Sequence, residues 1–198
     1  VMVVDDIRFA KSGSNQTSAR IGAGAETLRL DQAQALAEVA EGIWLDSALV
    51  PGAGGVLSGV TIRVGQLEGD ALALTKDGVI TLDADAAGNG WFIDATPLDQ
   101  VEFTEISGKP HVFTAKSGGA AAGRIDLLTV LLHEMGNAMG LQDMVDPTLP
   151  GFVMSSILDL GLRRLPSGPD VGDWSDVPAP ASTTPSPFGL GTAPQTTT

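Results

Sequence analysis

One stretch limits the possible folds more than any other: "DLLTVLLHEMGNAM", residues 126–139. Asp126 is a suitable N-cap. Apolar side chains run nearly all round the helical projection. A helix without a polar face has to be buried on all sides. The rest of the chain is therefore expected to wrap this segment. His133 and Glu134 then lie inside a core, where such residues are uncommon unless something pairs with them.

Other elements can be read around it. "VMVVDDIRFA" is expected to be a short strand, followed by the polar loop "KSGSNQTSAR". Asn15-Gln16-Thr17 in that loop matches a glycosylation acceptor, a triplet common by chance. "LDQAQALAEVAEGIWLDSAL" is expected to be a first helix capped by Asp31, with Leu36, Val39, Ala40, Ile43 and Trp44 on one stripe facing the core. "PGAGG" reads as a break. "VTIRVGQL", "ALALTK" and "GVITLDADA" read as three strands separated by Gly and Asp turns, and "AAGNGWFID" as a turn entering another strand. "VEFTEISGKPHVFTAKSGGAAAG" reads as a polar, glycine-rich connection. From residue 175 the chain becomes "SDVPAPASTTPSPFGLGTAPQTTT", whose Pro and Thr content suits an extended linker. This divides the chain into a domain over 1–174 and a tail over 175–198.

Composition excludes several functions. The 198 residues carry a net charge of −13, which repels nucleic-acid phosphates and anionic membranes. No apolar run approaches the roughly 20 residues of a membrane span. There is no cysteine, so disulfides and thiolate metal sites are excluded. The chain opens on Val1 without a basic region followed by an apolar one, so no signal peptide is expected within it, and a processed product or an excerpt is. The acidity suits cations, calcium among them. Asp83, Asp85 and Asn89 could form an oxygen-rich site, but Ala87 interrupts the alternating pattern of a calcium loop and a turn is the better reading.

The chemistry centres on His133. Two histidines four apart on a helix can share one metal ion, with a glutamate beside the first taking a proton from metal-bound water. A glycine then turns the chain back to bring a third ligand. In the pattern H-E-x-x-H-x-x-G-x-x-H/D, His133, Glu134, Gly140 and Asp143 stand in register and Asn137 replaces the second histidine. Met154 follows in "VMSS".

These residues, with the blocks "VITLDADAAGNGWFIDATPLDQVEF", "DLLTVLLHEMGNAMGLQDM" and "VMSSILDLGLRRLP" in that order, resemble the matrixin-like metzincin metallopeptidase domains of large bacterial surface and calcium-repeat proteins. The resemblance covers roughly residues 26–168. It implies a mixed α/β (α+β) fold in which a twisted, mostly parallel sheet carries two long helices. It also implies a metal-facing set of His133, Asn137 and Asp143, with Glu134 as general base and Gly140 and Met154 in structural roles. Members of that group often carry histidine where Asn89 stands.

Asn137 weakens the implied chemistry, because zinc favours imidazole nitrogen over a neutral amide oxygen. His111, the other histidine, lies on a loop and is expected to be a surface residue. The expectation is a degenerate, non-catalytic domain that binds zinc weakly or not at all. It would act as a structural or interaction module of an extracellular bacterial assembly and meet other subunits through residues 175–198, with Trp174 and Phe188 as anchors. The alternatives are an active zinc endopeptidase cutting an extended peptide beside the active-site helix, and a calcium-binding module.

Overall fold

The computed structural model describes residues 5–9, 27–144 and 151–172. The tail over 175–198, with Trp174 and Phe188, lies outside the described residues, as does the Asn15 triplet. Among the described residues, no helix is long and apolar enough to cross a membrane.

The expected buried helix is α3, Leu127–Ala138, and every residue from Leu127 to Gly136 is buried. Asp126 caps it: Oδ2 accepts the Thr129 backbone N–H at 3.1 Å. The first helix, α1, spans Leu30–Ser47 and buries Ala33, Leu36, Ala37, Ala40 and Trp44. Val39 and Ile43 are only half-buried, at the edge of that stripe. Asp31 is not its cap. Arg29 holds the N-cap position, its N–H donating to Gln32 Oε1 at 3.0 Å, while Asp31 pairs with the Arg29 guanidinium. In the first turn Asp31 still faces the positive end of the helix dipole. The Trp44 indole N–H donates to the Leu132 carbonyl at 2.9 Å, joining α1 to α3 through the core.

"PGAGG" is not a simple break. Gly52 takes a left-handed conformation and starts a one-turn helix, α2, Ala53–Leu57, that buries Ala53 and Leu57. The main sheet has five strands: β1 (Asp5–Phe9), β2 (Thr61–Gly65), β3 (Ala71–Lys76), β4 (Val79–Asp83) and β9 (Ile157–Leu158), in the order β2-β4-β3-β1-β9. β3 and β4 form a hairpin across Asp77-Gly78, both at positive φ, as a two-residue Asp-Gly turn requires.

The expected mostly parallel sheet is corrected here. β2–β4 and β1–β9 are parallel, whereas β4–β3 and β3–β1 are antiparallel, so the sheet is mixed. The tight Asp77-Gly78 turn forces β3 to reverse, and that reversal mixes the sheet.

The segment read as a polar connection also contains strands. β6 (Phe103–Glu105) and β7 (Val112–Ala115) pair antiparallel, and β10 (Leu162–Arg164) joins β7 to complete a three-stranded sheet. β5 (Trp91–Phe92) and β8 (Ile125–Asp126) form a parallel pair that leads the chain into α3. A short 3-10 turn, Gly168–Val171, is the last described element.

The link between the sheets is electrostatic. Arg163, fully buried, reaches Asp94 Oδ2 and Asp126 Oδ1, both at 2.8 Å, and lies 4.2 Å above the Phe103 ring. Burial works against its charge, but Asp126 and then Asp94 more than compensate, so its pKa is raised. Asp126 therefore caps α3 and holds the β10 arginine at once. The neighbouring Arg164 has less compensation, and burial pushes its pKa down to about 10.

Candidate metal centre

α3 ends as the motif's glycine requires. Gly140 adopts a left-handed φ of 87° after the C-cap Met139, and Leu141 N–H closes the turn onto the Gly136 carbonyl at 3.0 Å. The chain turns back along the helix and is then stitched to the methionine segment. Met144 N–H donates to Met154 O at 2.7 Å, and Ser156 N–H to Met144 O at 3.2 Å. Asp170 supports that segment from behind, accepting the Met154 N–H at 3.1 Å and the Ser167 hydroxyl at 2.6 Å.

This stitching brings Asp143 to His133. Asp143 Oδ1 lies 3.1 Å from His133 Nε2, with the imidazole wholly buried. The other ring nitrogen, Nδ1, is 2.9 Å from the Val153 carbonyl. A carbonyl only accepts, so Nδ1 must carry a proton. In the neutral ring the Nε2 lone pair then faces a carboxylate oxygen, an arrangement that calls for a second proton or a cation between them. Burial lowers the His133 pKa, but the Asp143 hydrogen bond and the Glu134 and Asp143 charges outweigh it, leaving it raised.

Glu134 is also fully buried. Thr75 Oγ1, on β3, donates to Glu134 Oε2 at 2.5 Å. Desolvation dominates and pushes its pKa up to about 7. Asn137, four residues after His133 on the same helix face, is half-buried. Among the described residues, the buried Glu134 Oε1 and the Asn137 Oδ1 and Nδ2 atoms have no hydrogen-bond partner. Buried polar atoms are rarely left unmatched, and three on neighbouring turns of one helix mark a segment that can accept something polar.

Met154 is buried directly beneath α3. A Cβ built at Gly136 would overlap its sulfur, so the glycine is needed for the methionine to fit.

The donor set fits a zinc ion in part. Two ligands of a tetrahedral ion with bonds of about 2.0–2.1 Å stand about 3.3 Å apart, close to the His133–Asp143 separation. The second imidazole is missing. Among the described residues, no three His, Cys, Asp or Glu side chains converge into a metal-holding group. His111 is exposed on the loop before β7, and its carbonyl accepts Leu165 N–H at 2.9 Å.

The Asp83–Asn89 stretch is a hydrogen-bonded turn. Asp83 accepts the Leu67, Asp85 and Ala87 N–H groups, Asp85 accepts the Gly88 N–H, and the Asn89 amide donates to the Ala86 carbonyl.

No family model, curated protein or solved structure matches the chain.

Thr75 and the Val153 carbonyl were not indicated by the sequence. Each acts through tertiary pairing, which local pattern does not carry. The Arg163–Asp94–Asp126 cluster gave one weak signal, an arginine pair in "GLRRLP" flanked by apolar residues.

Proposed function

We propose that this domain is a degenerate relative of the metzincin metallopeptidases. In this reading it serves as an extracellular structural or interaction module of a bacterial surface assembly. The observation that carries it is the composition of the cluster around His133. Imidazole and carboxylate stand at metal-ligand separation, and the position four residues after His133, where the motif has its second histidine, carries the neutral amide of Asn137. The left-handed Gly140, the Gly136–Met154 packing and the Val153 carbonyl on His133 Nδ1 support descent from a metal-binding ancestor. Holding Nδ1 through a backbone carbonyl is the usual way a ligating histidine is oriented.

The weak third donor does not fit a tight catalytic zinc site, and no hydrolytic step is assigned to it. One feature favours an active endopeptidase: burial pushes the Glu134 pKa up to about 7, near the working range of a general base. Against it, Thr75 already bonds the Glu134 carboxylate. A calcium-binding role has less support, since the Asp83 and Asp85 oxygens are used in closing their own turn.

Incubating the chain with casein and with a peptide library, with and without a chelator, tests the reading. No cleavage is expected. Cleavage that chelator and Glu134→Gln both abolish establishes the enzyme instead.

A further inference from the structure

An open cavity of about 440 Å³ lies where the loop between β6 and β7 meets Gly151-Phe152 and the start of the 3-10 turn. That volume falls within the roughly 300–1,000 Å³ typical of small-ligand sites. Its apolar lining is the buried Val112 with Phe152, Pro110 and Pro169. Three of these four are ring side chains, which suit a flat apolar body.

The charged part of the lining has one sign. Lys109 and His111 stand exposed at the cavity, and none of its described lining residues is acidic. The whole chain has 24 acidic residues against 11 Lys and Arg, so chance alone favours carboxylates at such a place. Among the described residues, neither the Lys109 nor the His111 side chain is engaged in a hydrogen bond or ion pair. Asp170, in the same 3-10 turn, is buried, and its oxygens accept the Met154 and Ser167 N–H groups and the Ser167 hydroxyl. Its carboxylate is thus bonded within the fold and pairs with neither base.

The loop that carries the two bases is held closed. Lys109 N–H donates to the Ile106 carbonyl at 2.9 Å, Val112 N–H to the Lys109 carbonyl at 3.2 Å, and Ile106 N–H to the Val112 carbonyl at 2.9 Å. Just after β10, Leu165 N–H pins the His111 carbonyl. His111 takes a φ of 68°, a left-handed conformation uncommon for a residue with a side chain. Strain of this kind gathers at ligand sites, where the surroundings hold it. A loop fixed in advance gives up little freedom when a ligand docks.

We propose that this cavity binds an aromatic carboxylate. The ring system lies against Phe152, Pro110 and Pro169, and the carboxylate meets Lys109 and His111 through charge-assisted hydrogen bonds. A free aromatic acid and the last residue of a peptide ending in Phe offer the same chemistry. The cavity requires no metal, so this assignment stands or falls separately from the metallopeptidase-like reading.

The test is calorimetry on the full chain with 2-naphthoate and its neutral isostere 2-naphthamide. The acid binds at one site per chain, and the amide about tenfold more weakly. Replacing Lys109→Ala together with His111→Gly, which keeps the left-handed φ without strain, removes that preference. Gly168→Leu fills the cavity and abolishes binding. A Cβ at Gly168 meets nothing within 4 Å, so the melting temperature is unchanged. The tripeptide Gly-Gly-Phe with a free or an amidated carboxyl distinguishes the sources. Tighter binding of the free tripeptide than of naphthoate assigns a peptide C-terminus, and the reverse assigns a free acid. No binding of either acid by the wild-type chain, or equal binding of naphthoate and naphthamide, overturns the proposal without recourse to any variant. Unchanged naphthoate affinity in a folded Gly168→Leu chain overturns it as well.

Discussion

Glu134→Gln separates the cost of a buried carboxylate from the packing around it. The folded chain holds the Glu134 proton up to about pH 7, whereas an unfolded chain releases it near its ordinary value of 4.5. Stability present below pH 4.5 is therefore lost as the pH rises through 7. At about 1.4 kcal/mol per pH unit, the loss is about 3 kcal/mol once both states are ionised. His133 acts in the same direction. Its raised pKa contributes stability below 6.5 that disappears as the pH rises through the folded value. Glutamine keeps the shape and the hydrogen bond with Thr75 Oγ1, but carries no charge. The variant should match the wild type at about pH 4.5 and exceed it at about pH 8.5 by up to about 3 kcal/mol, or roughly 5–10 °C in melting temperature. Urea denaturation at the two pH values, followed by Trp fluorescence, reads the difference. An equal change at both values, or a less stable variant at the higher pH, would refute the claim that desolvation controls this carboxyl.

Three further substitutions probe the frame around the site. Gly136→Ala should destabilise by about 1–3 kcal/mol in chemical denaturation, although helix propensity alone predicts a gain of about 1 kcal/mol, because the new methyl meets the Met154 sulfur. The penalty should shrink in a Met154→Ala background. Arg163→Ala leaves Asp94 and Asp126 buried without their cation and should cost about 3–5 kcal/mol, seen as a large fall in the denaturation midpoint. Trp44→Phe removes the indole bond to the Leu132 carbonyl and should cost about 1 kcal/mol by the same assay.

The sequence carried the parts of the fold that depend on local rules. α3 was legible because its apolar residues leave no face for solvent, and the β3–β4 hairpin because strand patterns flank a Gly and Asp turn. His133, Glu134, Gly140 and Asp143 could be named from spacing alone, since the helix and its left-handed exit set where each residue points. The three-stranded sheet was missed because β6 and β10 are only three residues each, too short for a period of two to appear. The strand order was missed for another reason. β1 pairs with β3 and β9, far away in sequence, and no local pattern records a partner so distant. Thr75 was missed for the same reason, since its link to Glu134 spans 59 residues.

The central claim is that Asn137 stands where a metal site lost its third strong ligand, and zinc titration by calorimetry of the wild-type chain and of Asn137→His tests it most directly. Loss of an inner ligand exceeds the roughly 10–100-fold typical of changes one shell further out. The account predicts weak or undetectable uptake by the wild type and binding at least about a hundredfold tighter, at one ion per chain, by the variant. Stoichiometric zinc on the wild type with an affinity that Asn137→His leaves unchanged would contradict it.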